Sequence, residues 1–421
     1  MPVYLSPGVY VEEVPGTPPI VGVGTSTAGF IGVVDDTKKG PPPGSPPGSP
    51  PEGKPFTMPF KPGRPLDPAN IVGDDRFIIA PAGVPQLITS FEQFKIKFGD
   101  FQAGNSTLAH AVFGFFNNGG TTCYVARVAS IAEGDLGAAD GVGASLKKFE
   151  AIDEIAIVAV PGALDDGTQA AVIAHCENMK DRFAIIDGQQ ITSFGSNPVE
   201  EVKGPVGNSD YAALYFPWLQ VIDPITKTTI FVPPSGHMAG IYTRVDASRG
   251  VHKAPANEVV RGALGLQYLV TKNEQDNLNP KGINVIRNLN GNIRVWGART
   301  LGGDLNEANG QVKYVNVRRL LIFLEESIDE GTQFVVFEPN SPALWQKITR
   351  TVRAFLTNVW RDGALFGLTP EEAFYVKCDA TTNPPEVVAL GQVVTEIGVV
   401  IVKPAEFVIF RITQFTSLQA A

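Results

Sequence analysis

A strand–helix–strand pattern over residues 155–187 constrains the fold of this chain more than any other feature. The apolar run IAIVAVPG starts at Ile155, a helix-forming segment opens at Thr168, and the apolar run FAIID ends at Asp187. Short, continuous apolar strands joined by a helix are typical of neighbouring parallel strands that are covered on both faces. The pattern predicts a partly parallel sheet flanked by helices. The expected fold class is α/β, mixed with α+β.

Other segments predict helices and strands on both sides of this unit. Helices are expected over 88–98, with Ser90 as N-cap, and over 106–120, where a glycine pair ends the helix. A long apolar helix is expected over 312–328, and another begins at Ser341-Pro342, a cap followed by proline at the first helical position. Strands are predicted at 122–128, 212–221, 229–232, 334–339, 373–379, 387–401 and 406–415.

The chain is acidic, and it holds enough apolar residues to build large cores. Of its 421 residues 43% are apolar, and the net charge is −9, so we expect two or three domains and no nucleic-acid partner. No run of about 18 apolar residues occurs, so no direct membrane insertion is expected. The first residues lack the pattern of a Sec signal. We therefore expect the protein to be made in the cytoplasm without Sec-dependent export.

Two segments lack the apolar surface needed to fold alone. Residues 1–20 contain five prolines, which exclude a helix and favour an extended arm that pairs at the edge of a sheet. Residues 40–68 form a low-complexity insert with 12 of the 34 prolines of the chain. This composition predicts an extended or polyproline linker on the surface, and a docking segment for a partner is the less favoured alternative.

The helix that begins at Ser341-Pro342 is amphipathic and has an unusual charge pattern. At about 100° per residue, its apolar residues occupy one broad half and its basic residues the other. The apolar half contains Leu344, Trp345, Ile348, Val352, Phe355, Leu356, Val359 and Trp360, and the basic half contains Lys347, Arg350, Arg353 and Arg361. In an acidic protein this local charge reversal indicates either a solvated face or a binding surface.

No catalytic, metal or cofactor constellation is evident in the sequence. His110 and His175 lie in predicted helices without a metal-ligand partner at i+4, and His237 follows Ser235 in what we predict to be a structural loop. The glycines over 22–29 do not have the spacing of a phosphate loop. The three cysteines are Cys123, Cys176 and Cys378, and an odd number at wide spacing does not indicate a disulfide framework. We expect no cofactor, no metal and no enzymatic activity.

Several stretches resemble the contractile tail sheath family, which includes the sheaths of phages and of contractile injection systems. The resemblance spans both ends and the middle of the chain, and the Pro-rich insert departs from it. It rests on YLSPGVYVEEV (Tyr4–Val14), the stretch from Pro234 to Asn257, NVIRNLNGNIRVWGARTL (Asn284–Leu301), YVNVRRLLIFLEESI (Tyr314–Ile328), FVVFEPNSPALW (Phe334–Trp345) and KPAEFVIF (Lys403–Phe410).

The resemblance implies a structural subunit that stacks as hexameric rings around an inner tube. Such a sheath contracts from a metastable extended state and drives the tube through a target membrane. The implied partners are other copies of the chain, the inner tube protein, and the baseplate and terminal cap proteins. The implied inter-subunit arm strands contain Val3, Tyr4, Leu5, Val9, Tyr10, Val11, Phe407, Val408, Ile409, Phe410, Arg411 and Ile412, and the implied tube-facing residues are Lys347, Arg350, Arg353 and Arg361.

The expected domain division follows from the same resemblance. It comprises an N-terminal arm over 1–20, an outer α/β domain over 21–250, an inner domain over 251–404 and a C-terminal arm strand over 405–421. The inner domain is expected to hold a mixed sheet flanked by helices and completed by arm strands from neighbouring subunits. Two other functions stay open: a nucleotide-binding α/β enzyme that uses the turn at Pro161-Gly162, and a static self-assembling surface-layer protein.

Overall fold

The chain folds into two compact units, and each combines segments that are distant in sequence. The computed structural model describes residues 19–34, 80–101, 104–204 and 206–411. The larger unit comprises Gly24–Phe323 and the segment from Val402 onward, and the smaller unit comprises the segment up to Val23 and Leu324–Ile401. This division differs from the boundary expected after residue 250, because two strands after that point belong to the main sheet of the larger unit.

Thirteen strands lie in the described residues. They are β1 (Ala28–Val33), β2 (Gln86–Ile88), β3 (Cys123–Val128), β4 (Ile157–Ala159), β5 (Phe183–Asp187), β6 (Ala212–Phe216), β7 (Leu219–Ile222), β8 (Thr229–Val232), β9 (Gly265–Leu266), β10 (Ile283–Leu289), β11 (Asn292–Val295), β12 (Phe374–Lys377) and β13 (Glu396–Val399). The main sheet has the order β11-β10-β6-β5-β4-β1-β3-β2. Its six inner strands are parallel, and β11 and β2 are antiparallel edge strands.

Helices surround this sheet and build most of the smaller unit. They are α1 (Phe91–Phe98), α2 (Ser106–Asn117), α3 (Val142–Phe149), α4 (Asp166–Met179), α5 (Pro198–Lys203), α6 (Ser235–Arg249), α7 (Lys272–Leu278), α8 (Asp304–Ala308), α9 (Val315–Thr332), α10 (Pro342–Arg361), α11 (Pro370–Ala373) and α12 (Pro385–Ala389). The predicted N-cap at Ser90 is confirmed, because its side chain accepts a hydrogen bond from the backbone N–H of Gln93. The predicted helix starts at Ser106 and Pro342 are confirmed as well.

Two hydrophobic cores cover the two faces of the main sheet. On β1, Phe30 belongs to one core with Phe115 of α2 and Tyr242 of α6. Its neighbour Ile31 belongs to the other core with Phe149 of α3. Because successive strand residues point to opposite faces, burial of both faces explains why these strands are continuous apolar runs. The predicted α/β class, with a mixed sheet flanked by helices, is confirmed.

The strand–helix–strand unit predicted over 155–187 is present. Strands β4 and β5 pair in parallel, with Ile157 opposite Phe183, and α4 connects them. The helix begins after Asp165, whose carboxylate accepts a hydrogen bond of 2.8 Å from the backbone N–H of Thr168. A side-chain oxygen at this position satisfies one of the N–H groups that a helix leaves unpaired at its start.

Helices α2 and α6 approach each other closely through glycines. Gly236 and Gly240 of α6 lie against the backbone of Ala111 and Phe115 on α2, where a Cβ atom would overlap a carbonyl oxygen. The helices therefore pack backbone to backbone, which only a residue without a side chain permits.

Replacing Gly240 with alanine is expected to lower the free energy of unfolding by about 2 kcal/mol, because a helix backbone cannot shift to admit the methyl group. The gain in helix propensity, about 1 kcal/mol, opposes this cost without cancelling it. The matched control is Gly134→Ala, because no atom lies within 4 Å of a Cβ built at Gly134. Chemical denaturation of the unassembled subunit measures both variants, and equal effects would contradict the close-packing argument.

The strand predicted over 334–339 is wrong. Gln333–Val335 form one turn of 3-10 helix, and Phe337 has a φ of 66°, which a bulky strand residue does not adopt. Two of the apolar side chains that suggested a strand are exposed, Val336 at 62% and Phe337 at 103% of their full accessible area, and Phe334 and Val335 are only partly buried. Hydrophobicity here does not mark a core.

Three further local predictions need correction. His237 lies in the first turn of α6 and is buried, so the predicted loop around it is wrong. The strand predicted over 387–401 is replaced at its start by α12, and only β13 is strand. The predicted strand over 212–221 consists of β6 and β7, which a cis Phe216-Pro217 peptide bond separates.

Candidate assembly surface

The smaller unit contains a two-stranded antiparallel sheet. Strands β12 and β13 pair from Phe374 opposite Val399 to Lys377 opposite Glu396. Within the described residues neither strand joins a third strand in this sheet. A two-stranded sheet is marginally stable by itself, and its edges present N–H and C=O groups that another chain can pair with. The geometry therefore leaves room for strands from outside this part of the chain.

Large apolar side chains are exposed beside this two-stranded sheet. The N–H of Phe366 donates a hydrogen bond of 2.7 Å to the carbonyl oxygen of Val400, directly after β13. Phe366 is 68% exposed, Leu368 is 90% exposed, and Tyr375 on β12 is half-exposed. Contiguous exposed apolar groups of this size are typical of surfaces that bind another protein.

Residues 402–411 follow the smaller unit as a segment without helix or strand, so the strand predicted over 406–415 is wrong for residues 406–411, and residues 412–415 lie outside the described residues. Phe407, Val408, Ile409 and Phe410 are 71%, 70%, 78% and 84% exposed. Burying a large apolar side chain is favourable by about 1.5–3 kcal/mol relative to leaving it in water, so all four of these side chains would gain free energy from burial. Of the expected arm positions, Phe407 to Arg411 lie in this segment. Val3, Tyr4, Leu5, Val9, Tyr10, Val11 and Ile412 lie outside the described residues.

A carboxylate fixes the start of this segment to the larger unit. Glu406 Oε1 accepts hydrogen bonds of 2.8 Å from Arg299 Nε and from Asn279 Nδ2. Glu406 Oε2 accepts hydrogen bonds of 2.9 Å from Arg299 Nη2 and from Tyr314 OH. We call these four residues the Glu406 latch. Paired bonds from one guanidinium to one carboxylate are among the strongest side-chain interactions in proteins.

The latch stays ionised at neutral pH. Partial burial by itself would raise the pKa of Glu406, but the hydrogen bonds and the charge of Arg299 outweigh burial and lower the pKa below its usual value. A carboxylate with a lowered pKa stabilises the folded arrangement above its unfolded pKa, and that contribution is lost as the pH falls below about 4.5. Sequence reasoning missed Arg299, Asn279 and Tyr314 because they are distant from Glu406 along the chain.

Helix α10 buries the apolar half that its periodicity predicted. Seven of the eight apolar residues assigned to that half are buried, and Trp360 is partly buried. The indole N–H of Trp360 donates a hydrogen bond of 3.0 Å to the carbonyl oxygen of Gly367. The basic residues therefore occupy the side of α10 that is turned away from the core of the smaller unit.

The four predicted basic residues have different surroundings. Lys347 is partly buried, and its ammonium lies 4.6 Å from the centroid of the Phe334 ring. Arg353 donates a hydrogen bond of 2.5 Å to Glu371. Arg350 and Arg361 are exposed, and neither takes part in an ion pair with a described residue. Two of the four charges are thus available without breaking a contact inside the unit.

A groove of about 680 Å³ runs between α10 and β12. Its basic residues are Arg350 and Arg353 from the helix and Lys377 from the strand. Sequence reasoning missed Lys377, because only the packing of β12 on α10 brings it next to the helix. The groove can accept acidic or hydrogen-bonding groups of a partner, since its charged lining is basic except for Asp379.

The turn at Pro161-Gly162 is occupied by contacts within the protein. Asp187 accepts hydrogen bonds from the N–H of Gly162 at 3.0 Å and from the N–H and hydroxyl of Ser235, both at 2.8 Å. Ser235 starts α6, so Asp187 takes the helix N-terminal position that a phosphate group would need. Burial raises the pKa of Asp187 to about 6. The geometry does not favour a nucleotide at this turn.

Comparison with known proteins connects these features. The phage tail sheath protein central domain matches residues 138–301, and the phage tail sheath C-terminal domain matches residues 307–415. The chain belongs to the tail sheath family. The central-domain match lies in the larger unit, and the C-terminal match includes α9, α10, β12, β13 and residues 402–411. All described residues of the candidate surface of this sheath protein therefore lie in the family's C-terminal domain, apart from Asn279 and Arg299 of the latch.

The solved sheath structures match nearly the whole chain, whereas the curated phage sheath protein matches about half of it. A sheath complex of an extracellular contractile injection system, PVC, in the contracted state is 29% identical, with a TM-score of 0.71 over 99% of both chains. A chain of the anti-feeding prophage baseplate, 6-fold symmetrised, is 28% identical, with a TM-score of 0.68 over 98% of this chain and 100% of that one. The tail sheath protein of Burkholderia phage BcepMu is 26% identical over 51% of this chain and 46% of its own length.

Neither a membrane-spanning helix nor a metal-binding cluster lies in the described residues of this sheath protein. In the described residues no helix has the length and hydrophobicity needed to cross a membrane. The same residues bring together no group of three or more His, Cys, Asp or Glu side chains that could hold a metal ion.

Proposed function

We propose that this chain is the structural subunit of a contractile sheath, which stacks as hexameric rings around an inner tube. One observation carries the proposal: four large apolar side chains, Phe407 to Phe410, are exposed on a segment whose strong contacts within the described residues lie at its start. A segment held in this way cannot bury its own side chains and is completed by another copy of the chain. The open edges of β12 and β13 offer the complementary place for it.

Strand addition explains how such contacts build a tube. The segment from Phe407 onward adds to the β12–β13 sheet of a neighbouring copy, and the N-terminal segment adds to the sheet of another. Main-chain hydrogen bonds supply the affinity, and alternating side chains supply the register. Because the segment and the sheet are different surfaces, the contact is heterologous, and its repetition gives rings and helical stacks.

The basic side of α10 faces the inner tube in this proposal. Lys347, Arg350, Arg353 and Arg361 supply the charges, and Lys377 adds to them in the groove. Exposed ion pairs contribute only about 0–1 kcal/mol each, so the sheath can leave the tube when larger contacts form between its subunits. The extended sheath is metastable, and contraction moves the units as rigid bodies and drives the tube through a target membrane. No nucleotide, cofactor or catalysis takes part.

The two compact units correspond to different roles. The smaller unit forms the inner domain, and the larger unit forms the outer domain. The segments at both ends of the chain link the inner domains of different copies and keep them connected during contraction. A baseplate and a terminal cap hold the extended form at its ends. Assembly takes place in the cytoplasm, and the particle is later extracellular or stays anchored in the producing cell. The similarity to a chain of the contracted PVC sheath complex and to a chain of the 6-fold anti-feeding prophage baseplate supports assembly of many copies together with a baseplate.

Electron microscopy of the overexpressed full-length chain tests the proposal. We expect tubes with hexameric rings and, with the inner tube protein present, a second state that is longer and narrower. Planar sheets with a single lattice would favour a static surface-layer protein instead. Calorimetric titration with nucleotides is the companion measurement, and saturable binding that disappears in a variant of the Pro161-Gly162 turn would favour an enzyme.

A further inference from the structure

We infer that the Glu406 latch is the point at which load from the inter-subunit link enters the main sheet of the larger unit. This inference rests on the proposed function, because it assumes that the segment after Glu406 joins another copy. Its evidence is separate: a continuous series of short polar contacts connects Glu406 to β10.

The first step of this connection is the grip on Glu406 itself. Both carboxylate oxygens are engaged, and Arg299 binds them through two nitrogens at 2.8 and 2.9 Å. Arg299 is 3% exposed, so water competes poorly for these hydrogen bonds. The bidentate pair also fixes the orientation of the Glu406 carboxylate, because the two planar groups are joined by two parallel hydrogen bonds.

The second step joins Arg299 to the main sheet. Asn284, a fully buried residue of β10, accepts a hydrogen bond of 2.7 Å from the N–H of Arg299 and donates one of 2.7 Å to its carbonyl oxygen. The Asn284 amide also donates to the carbonyl oxygen of Leu214 on β6. One side chain thus ties the backbone of Arg299 to two neighbouring parallel strands, so a force on Glu406 is passed to the hydrogen-bonded strands β10 and β6 of the main sheet.

Two weaker contacts hold the segment before the latch. Asn316 Nδ2 lies 3.5 Å from the carbonyl oxygen of Val402, and Lys403 pairs with Glu307 at 3.3 Å on an exposed surface. These contacts are too long or too solvated to resist load alone. After Glu406, residues 407–411 are exposed. Within residues 402–411 the latch is therefore the last strong anchor, and Glu406 and Arg299 act as positioning residues for the link.

Releasing the latch lengthens the free link. Residues 402–406 would join it and add at most about 17 Å of extended chain. A longer, undirected link loses the preorganisation that lowers the entropic cost of binding, and its effective concentration at the neighbouring sheet falls. We expect Glu406→Ala to raise the concentration needed for tube assembly about tenfold. The variant should also lower the melting temperature of the unassembled subunit, because it leaves the buried Arg299 guanidinium with Asp304 as its remaining carboxylate partner in the described residues.

A second variant should produce the same assembly defect while leaving the hydrogen bonds of the latch intact. A five-residue Gly-Ser insertion between Glu406 and Phe407 leaves Arg299 paired and lengthens the free link by the same amount. It should reproduce the assembly defect of Glu406→Ala, whereas Glu386→Gln, which alters an exposed carboxylate on α12, should assemble like the wild type. Normal assembly of both Glu406→Ala and the insertion variant would overturn the inference.

Cleavage by a protease specific for glutamate reports on the latch directly. The bond after Glu406 should resist cleavage in the unassembled wild-type subunit, because the carboxylate is already bound. Tyr314→Phe and Asn279→Ala each remove one hydrogen bond and should speed this cleavage several-fold relative to cleavage after Glu386. Equal relative rates in wild type and variants would count against the latch.

Deletion of residues 407–421 separates this inference from the proposed function. If the deletion leaves assembly intact, the proposed link itself fails and the inference fails with it. If the deletion abolishes assembly while Glu406→Ala and the insertion behave like wild type, only the inference about the latch is wrong.

Discussion

Tubes are expected to be absent when residues 407–421 are deleted, with at least a thousandfold rise in the concentration at which subunits assemble. The deletion removes four large apolar side chains that are 70–84% exposed in the isolated chain. Their burial in a neighbour is worth roughly 1.5–3 kcal/mol each, and about 4 kcal/mol remains after the cost of ordering the segment. That surplus corresponds to about three powers of ten in affinity. Sedimentation and electron microscopy of the deletion variant measure the change.

A point substitution separates loss of the link from a general loss of hydrophobic surface. Ile409→Asp places a charge within the segment and should also prevent assembly, whereas Ile225→Asp changes an equally apolar side chain that is 57% exposed in the larger unit. Both variants leave the cores intact, so both should melt at the wild-type temperature. Tubes formed by Ile409→Asp at wild-type concentrations would argue against strand addition by this segment.

Reversing charge on α10 is expected to detach the sheath from its tube without preventing contact between sheath subunits. In Arg350→Glu with Arg361→Glu, two attractive contacts become repulsive, at a cost of about 2 kcal/mol for each subunit. This corresponds to roughly a thirtyfold loss of binding to the purified inner tube protein. Neither arginine has an ion-pair partner among the described residues, so the fold of the smaller unit should be unaffected.

The control for this prediction carries the same change in net charge. Lys148→Glu with Lys272→Glu reverses two exposed lysines of the larger unit and should bind the tube like the wild type. Binding of the unaltered sheath should weaken as salt rises, because exposed charge contacts are screened within about 8 Å at physiological ionic strength. Tube-bound particles from the α10 variant at wild-type yield would refute the assignment of this face to the tube.

Local patterns in the sequence predicted a large part of the architecture. Continuous apolar runs marked β4 and β5, and the spacing of apolar residues in α10 identified its buried side. These features depend on neighbours along the chain, since a helix face repeats every three to four residues and a parallel strand is apolar on both sides. The resemblance to the sheath family also rests on short continuous stretches of sequence, among them the segment that begins at Lys403.

Contacts between distant segments decided the rest. Val336 and Phe337 in the apolar run over 334–339 are exposed, because hydrophobicity favours burial but does not determine what a segment packs against. The Glu406 latch unites residues from four separate parts of the chain, and Lys377 lines the same groove as Arg350 only because β12 packs beside α10.

The sequence by itself determined the α/β class, the amphipathic helix and the family, because each is written in residues close together along the chain. Only the tertiary structure decided where the units divide, which basic side chains are free and how the C-terminal segment is anchored. Those properties depend on the distances between side chains that folding brings together from far apart in the chain, and local periodicity does not encode them.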